Sequence, residues 1–369
     1  MIKRVYLFLL ALTIITAGCI APADSQPIPK NIILLIGDGM GPNQVLAAQL
    51  TRFPKGGELV MQTFPVKTHL QTNNVEGGVT DSAAAGTALA TGVLTKNGFL
   101  SMDPDGRNLK TIAEAAREQG KAAGVVSTTQ ITNATPASFA SHVKSRKENE
   151  EIAKQMVNSG LEVLFGGGVE HFLHKSSEGS ERKDDWDGIA AAKAAGYQVA
   201  LTYDEFAKLS GPKAIASLSN GGLKTKSPEP SLADLTRKAI QILSQNTKGF
   251  FLMVEGGQID WAGHSNDLEN NIYQTLQFDD AVSVAYEFAK SDGNTLLIVT
   301  ADHETGGLEV TPTGDGKFSH KWSTGGHTSA RVPLFAYGPS SERFSDAECL
   351  TCVGNRMANL WGVEIGHTK

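Results

Sequence analysis

Three short apolar runs constrain this chain more than any other feature: residues 31–36 (NIILLI), 250–254 (FFLMV) and 295–300 (TLLIVT). None shows the polar alternation of a half-exposed strand, so each reads as a strand covered on both faces, as in a parallel sheet. Residues 123–127 form a fourth run of the same kind. Amphipathic stretches lie between them. Residues 109–118 read as a helix ended by Gly120, residues 231–243 as another with Leu232, Leu235, Ala239 and Ile242 on one face, and residues 268–290 as a third. Buried strands alternating with such helices predict an α/β fold, a mostly parallel central sheet with helices on both faces. No repeat or low-complexity block interrupts the pattern. Residues 175–230 are Ser-, Lys- and Gly-rich, carry no legible motif, and read as surface elaboration or a peripheral subdomain.

In open α/β sheets, ligands bind beyond the carboxyl ends of the strands. Here the first strand runs into Gly37-Asp38-Gly39, the 250–254 run into Glu255-Gly256-Gly257, and the last into Ala301-Asp302-His303. One such Asp would pass for a turn or cap residue. Three acidic strand ends on one edge would repel one another unless cations held them. Asp260 and His264 add a pair four residues apart, which on a helical turn point the same way. Such a pair alone is more often a surface contact. Beside Glu255 and Asp302-His303 it reads as metal-ligating, with imidazole and carboxylate suiting Zn²⁺ and an all-oxygen set suiting Mg²⁺.

A nucleophile is on offer in residues 79–90, where Asp81-Ser82 precedes a run of small residues. Without metals this would be an ordinary helix cap. With them, Ser82 at a helix start has free N–H groups for phosphate oxygens and cations to stabilise its alkoxide.

The chain begins with Lys3-Arg4 and an apolar run over residues 5–17, the n- and h-regions of an export signal. Thr16-Ala17-Gly18-Cys19 follows and resembles a bacterial lipobox, although Thr16 stands where Leu is usual. Residues 1–18 are therefore expected to be a lipoprotein signal peptide, with Cys19 carrying the lipid anchor and residues 19–30 acting as a tether. Plain cleavage with secretion is the alternative. The mature chain would be periplasmic or at the cell surface. Cys349 and Cys352 then remain, and their spacing fits a small local disulfide rather than a redox pair, for which no thioredoxin-like unit is legible. With 33 Lys and Arg against 39 Asp and Glu, the net charge of -6 argues against nucleic acid as a partner.

Six segments in order resemble the alkaline phosphatase family across nearly the whole chain after residue 30: IGDGMG (36–41), VTDSAAAGTALATG (79–92), NATPASFASHVKSR (133–146), VEGGQIDWAGH (254–264), TADHETGG (300–307) and TGGHT (324–328). A sulfatase would need a C/S-x-P-x-R setting, and Ser82 is followed by Ala83-Ala84-Ala85. The resemblance implies an alkaline-phosphatase-like three-layer sandwich, forming a single domain over residues 31–369, that hydrolyses phosphate monoesters through a phosphoserine at Ser82. It implies two Zn²⁺, one on Asp260, His264 and His327 and the other on Asp38, Asp302 and His303. One Mg²⁺ would sit on Asp38, Thr135 and Glu255. Arg146, otherwise an unremarked member of a basic run, matches the arginine that clamps phosphate oxygens. Asn133 and Trp261 stand at variable positions around the Mg²⁺ and its waters, and the neutral Asn133 supplies no charge there. Residues 304–326 lack a large surface insertion that relatives can carry. A phosphodiesterase or phosphonate hydrolase on the same metal core is the alternative activity, and assembly as a homodimer is open.

Overall fold

The computed structural model describes residues 2, 27–227, 230–314 and 316–367. All of the expected signal peptide but Ile2, together with Cys19 and most of the expected tether, lies outside them. Nine strands form one sheet: β1 (Asn31–Gly37), β2 (Val66–Leu70), β3 (Ala122–Gln130), β4 (Val163–Gly167), β5 (Gln198–Ala200), β6 (Ala214–Ser217), β7 (Phe250–Gly256), β8 (Thr295–Thr300) and β9 (Val332–Tyr337). Their order across the sheet is β2-β9-β8-β1-β7-β3-β4-β6-β5. Every pairing is parallel except those of β9, which runs against both β8 and β2. Each of the four apolar runs predicted as strands is found in the centre of this sheet. β1, β7 and β8 are buried at every residue, as expected where helices cover both faces.

The predicted helices form with informative differences at their ends. Helix Leu232–Leu243 starts behind Ser231, whose hydroxyl accepts from Asp234 N. Helix Leu268–Asp292 runs two residues beyond the expected end and stops at Gly293, where φ is 69°. The helix expected over residues 109–118 spans only Ile112–Glu118, because Thr111 and Glu114 form a capping box there. Leu109 and Lys110 instead pair with His367 and Gly366 near the C-terminus.

Residues 175–230 supply β5 and β6, the outermost strands at one edge of the sheet. Glu309–Gly314 and Lys317–Lys321 pair as an antiparallel, mostly exposed ribbon where a larger insertion could sit. Cys349 and Cys352 are joined as a disulfide, and Cys349 caps helix Leu350–Trp361. That helix packs on helix Ser82–Thr91, with Gly354 against the carbonyls of Ala88 and Leu89, where a Cβ would clash.

Candidate active site

The carboxyl ends of β1, β7 and β8 bring the acidic residues to one edge of the sheet. Asp38, Asp302 and His303 form one group, and Asp260, His264 and His327 a second, each offering three ligand atoms within 4.8 Å of one another. Gly39 lets the two groups approach. Its φ is 70°, and a Cβ there would meet Thr305 Oγ1 at 2.8 Å and Asp260 Cα at 2.9 Å.

In the first group, His303 Nε2 stands 3.4 Å from Asp38 Oδ1, 3.2 Å from Asp302 Oδ2 and 3.2 Å from Ser82 Oγ. One nitrogen cannot satisfy three oxygens. Asp302 Oδ1 already accepts from the N–H groups of Gly39 and His303, at 3.1 and 2.8 Å. Asp302 Oδ2 and Asp38 Oδ1 are buried and without a hydrogen bond. Burial, then the charges of Asp302, Asp260 and Glu255, push the Asp38 carboxyl well above its ordinary range. Burial also holds the His303 imidazole below its ordinary range, which favours the uncharged ring that can ligate.

The second group sits on helix Gln258–His264 and the short strand His327–Thr328. His264 Nδ1 faces Gly325 O at 2.7 Å, and His327 Nδ1 faces Thr80 O at 2.9 Å. A carbonyl only accepts, so both Nδ1 atoms carry the proton and both Nε2 atoms keep their lone pairs when the rings are neutral. Those Nε2 atoms face each other at 3.3 Å. Asp260 Oδ2 lies 3.3 Å from the first and Asp260 Oδ1 3.6 Å from the second. Burial raises the Asp260 carboxyl, but the hydrogen bond from His264 and the nearby imidazoles bring it down to about 2. The same hydrogen bond lifts His264 to about 9. The pair thus shares a proton that a cation would displace.

Glu255 lies nearby at the end of β7, fully buried. Its Oε2 accepts from Ser127 Oγ and, at 3.3 Å, from Thr129 Oγ1, while its Oε1 has no hydrogen bond. Burial pushes this carboxyl up to about 7. Thr135 Oγ1, also wholly buried, is likewise without a partner. Unsatisfied buried oxygens on Asp38, Asp302, Glu255 and Thr135 cost far too much to leave bare. Carboxylates and an imidazole around those oxygens are a donor set that divalent cations satisfy.

Ser82 is the first residue of helix Ser82–Thr91, whose N-cap is Asp81. The capping role belongs to Asp81, whose Oδ1 accepts from Ala84 N at 2.9 Å, leaving the Ser82 hydroxyl facing His303. Asp81 Oδ2 meets Arg146 Nη1 at 3.2 Å, and Asn133 Oδ1 accepts from Arg146 Nη2 at 3.3 Å. Asn133 also caps the short helix Ala134–Ala137 through Ala134 N. Trp261 is 38% exposed, with its ring against Gly222, where a Cβ would come within 2.7 Å of it.

Sequence reasoning misses Thr305 and Asp81. Thr305 Oγ1 donates to Asp260 Oδ1 and lies 3.3 Å from His303 Nδ1, touching both groups. A signal for it exists, since Thr305 is two residues from His303 in extended chain and shares its face.

The family model for alkaline phosphatase matches residues 29–320. Alkaline phosphatase 4 of Bacillus subtilis (strain 168) is 36% identical over 386 residues, covering 95% of this chain and 78% of that one. The Escherichia coli (strain K12) alkaline phosphatase is 34% identical, covering 84% and 81%. Among solved structures, alkaline phosphatase from the Antarctic bacterium TAB5 superposes with a TM-score of 0.82 at 35% identity, covering 92% of this chain and 99% of that one. A variant of that enzyme in which Asp replaces a histidine, TM-score 0.83, has Mg bound in its M3 site. These relatives do not favour the phosphodiesterase alternative. A sheet edge with two groups of side chains that could hold cations, one of them beside Ser82, in a chain this similar to known phosphatases, belongs to a member of the alkaline phosphatase family, an enzyme that hydrolyses phosphate monoesters with divalent metal ions.

Proposed function

We propose that hydrolysis proceeds through a covalent phosphoserine at Ser82, with two Zn²⁺ and one Mg²⁺ bound. Asp260, His264 and His327 would hold one Zn²⁺, Asp38, Asp302 and His303 the other, and Asp38, Thr135 and Glu255 the Mg²⁺. The observation that carries this reading is the 3.2 Å approach of Ser82 Oγ to His303 Nε2 at the start of a helix already capped by Asp81. The hydroxyl is thus free of a capping bond and aimed at the ligand atoms.

Bound cations would supply Lewis-acid stabilisation of charge on the entering and departing oxygens. Ser82 Oγ forms a bond to phosphorus as the bond from phosphorus to the ester oxygen breaks, its proton passing to solvent while the departing oxygen takes one up from solvent and leaves as the alcohol. The free N–H groups of the helix start and the planar Arg146 guanidinium hold the non-bridging oxygens. Asp81 and Asn133 keep that guanidinium in place from two sides. Water then attacks phosphorus on the side opposite Ser82 Oγ, losing a proton to solvent, and Ser82 Oγ leaves, takes up a proton and is again a free hydroxyl as phosphate is released. Asn133 and Trp261 shape the surroundings rather than contact the reacting atoms.

Residues 1–18 would be a signal peptide, and Cys19 a lipidated N-terminus holding the enzyme on the outer side of a bacterial membrane, periplasmic or at the surface. Among the described residues no helix is long and apolar enough to cross a membrane. A homodimer is compatible with this reading.

The test is rapid acid quenching with an aryl phosphate labelled in its phosphoryl group, beside its diester analogue. Label should appear on Ser82 within the first turnover, with the diester turned over far more slowly. In Ser82→Ala, labelling should vanish and turnover fall by orders of magnitude with metal content retained. Near-normal turnover in that variant excludes Ser82 as nucleophile.

A further inference from the structure

Beside Arg146 lies a cleft of about 190 Å³ lined by Gln130, Asn133, Ala134, Arg146, Lys147 and Asn149. Two cationic residues adjacent in sequence line it, and they are differently employed. Arg146 is engaged by Asp81 and Asn133. Lys147 is exposed, and among the described residues its ammonium makes no hydrogen bond or ion pair. Its backbone N–H alone is bonded, to Ser145 Oγ at 3.3 Å. Gln130 Oε1 accepts weakly from Asn133 Nδ2 at 3.5 Å, so the Gln130 amide N–H groups stay available. The Asn149 side chain likewise has no partner among the described residues. No carboxylate lines the cleft.

Lys147 also borders a separate hollow that contains Glu148, Glu150, Glu151 and Glu181. It pairs with none of them. Glu150 Oε1 accepts from Lys183 N at 2.9 Å and Glu151 Oε1 from Gln155 Nε2 at 2.9 Å. Lys147, which lines the cleft beside the proposed phosphate clamp, therefore has an ammonium committed to no partner among the described residues.

We infer that this cleft is a second anion subsite, taking a further phosphate carried on the alcohol part of the ester, with Lys147 as its determinant of specificity. The inference rests on Arg146 holding the phosphate that is transferred. An ammonium is a point charge with three rotatable donors, which suits a phosphate presented at varying distance, whereas Arg146 is fixed by its two side-chain partners. Substrates with two phosphates would be preferred over the corresponding monophosphates, and salt would weaken that preference because Lys147 is exposed.

The probes are fructose 1,6-bisphosphate and fructose 6-phosphate, with initial release of phosphate measured by the metal-loaded enzyme. The ratio of kcat/KM values should favour the bisphosphate. In Lys147→Ala that ratio should fall by about five- to tenfold, mainly through KM, Lys147→Arg should restore most of it, and the salt dependence of the ratio should flatten. A wild-type ratio near one, or one unchanged in Lys147→Ala, overturns the subsite. Arg146→Ala separates the two readings: if turnover of the monophosphate survives it, the clamp itself is misassigned, and if turnover collapses while Lys147→Ala has no effect, only the subsite fails.

Discussion

The imidazole rings of His303 and His327 stack with centroids 3.5 Å apart and planes 21° from parallel. His303 belongs to the buried group with Asp38 and Asp302, and His327 to the more open group with Asp260 and His264. The two ligand sets therefore share a wall of ring against ring, and one group cannot shift without moving the other. Thr305 ties them a second time.

This shared wall predicts that metal loading is coupled. Chelation should abolish phosphatase activity, and Zn²⁺ with Mg²⁺ together should restore it better than either alone, because the ligand sets differ in nitrogen content. In His327→Ala, metal analysis should show less than the wild-type Zn²⁺, with the remainder lost to weaker chelator than in the wild type. A single ion per chain in fully active protein contradicts three sites.

Much of this site is legible in the sequence because acids follow buried strands. Asp38, Glu255, Asp302 and His303 are fixed by the ends of β1, β7 and β8, so recognising the strands locates them. The hydroxyls that hold Glu255 give no such signal. Ser127 and Thr129 matter only because β3 lies beside β7 and Ser127 pairs with Glu255, a register that no local pattern encodes. Asp81 is hidden by its neighbour, since an Asp-Ser pair before small residues does not say which residue caps and which is free. The start of helix Ile112–Glu118 is misplaced for a related reason, in that Leu109 and Lys110 are claimed by strand pairing with residues near the C-terminus.

The proposed anchor makes a prediction about Cys19. Wild-type protein should partition with membranes, and Cys19→Ser should be released in soluble form or be processed differently. Wild-type protein found wholly in the medium, with an N-terminus beyond residue 19, excludes lipidation.

A pH effect on stability follows from His142 and Glu114, away from the metal groups. His142 Nε2 meets Glu114 Oε1 at 3.0 Å, and its Nδ1 faces Ser101 O at 2.9 Å. Burial lowers His142, but the hydrogen bond and charge of Glu114 outweigh it and raise the imidazole above 6.5. Burial raises Glu114, but the bonds to His142 and Thr111 leave it below 4.5. The His142 contribution is complete below 6.5 and lost as pH rises through its raised value, while that of Glu114 is complete above 4.5 and lost as pH falls through its lowered value. The pair is thus strongest between those limits. Glu114→Gln keeps the capping box, and should lower Tm by about 1–2 °C near pH ~5.5 and by less near pH ~9. A difference independent of pH contradicts the pairing.

Asn133 offers the most discriminating substitution, because it contacts Arg146 and lies two residues from Thr135. Its Oδ1 accepts from both Ala134 N and Arg146 Nη2, and its Nδ2 donates to Gln130 Oε1. Asn133→Asp preserves both acceptor contacts, loses only that 3.5 Å donation, and adds a negative charge. Helix capping survives, because Asp caps as well as Asn. The new charge should attract Mg²⁺ and its waters, so less added Mg²⁺ is needed for full activity. It should also repel bound phosphate and neutralise part of the Arg146 charge, weakening product inhibition. Titrating Mg²⁺ activation and phosphate inhibition with Zn²⁺ saturated separates these effects, and both midpoints should shift by about three- to tenfold. Because the Asp260, His264 and His327 group is left untouched, Zn²⁺ content should stay constant. A shift in phosphate inhibition alone would mean that Asn133 acts through Arg146 and not on the Mg²⁺ shell, and identical curves for both proteins would place Asn133 outside that shell.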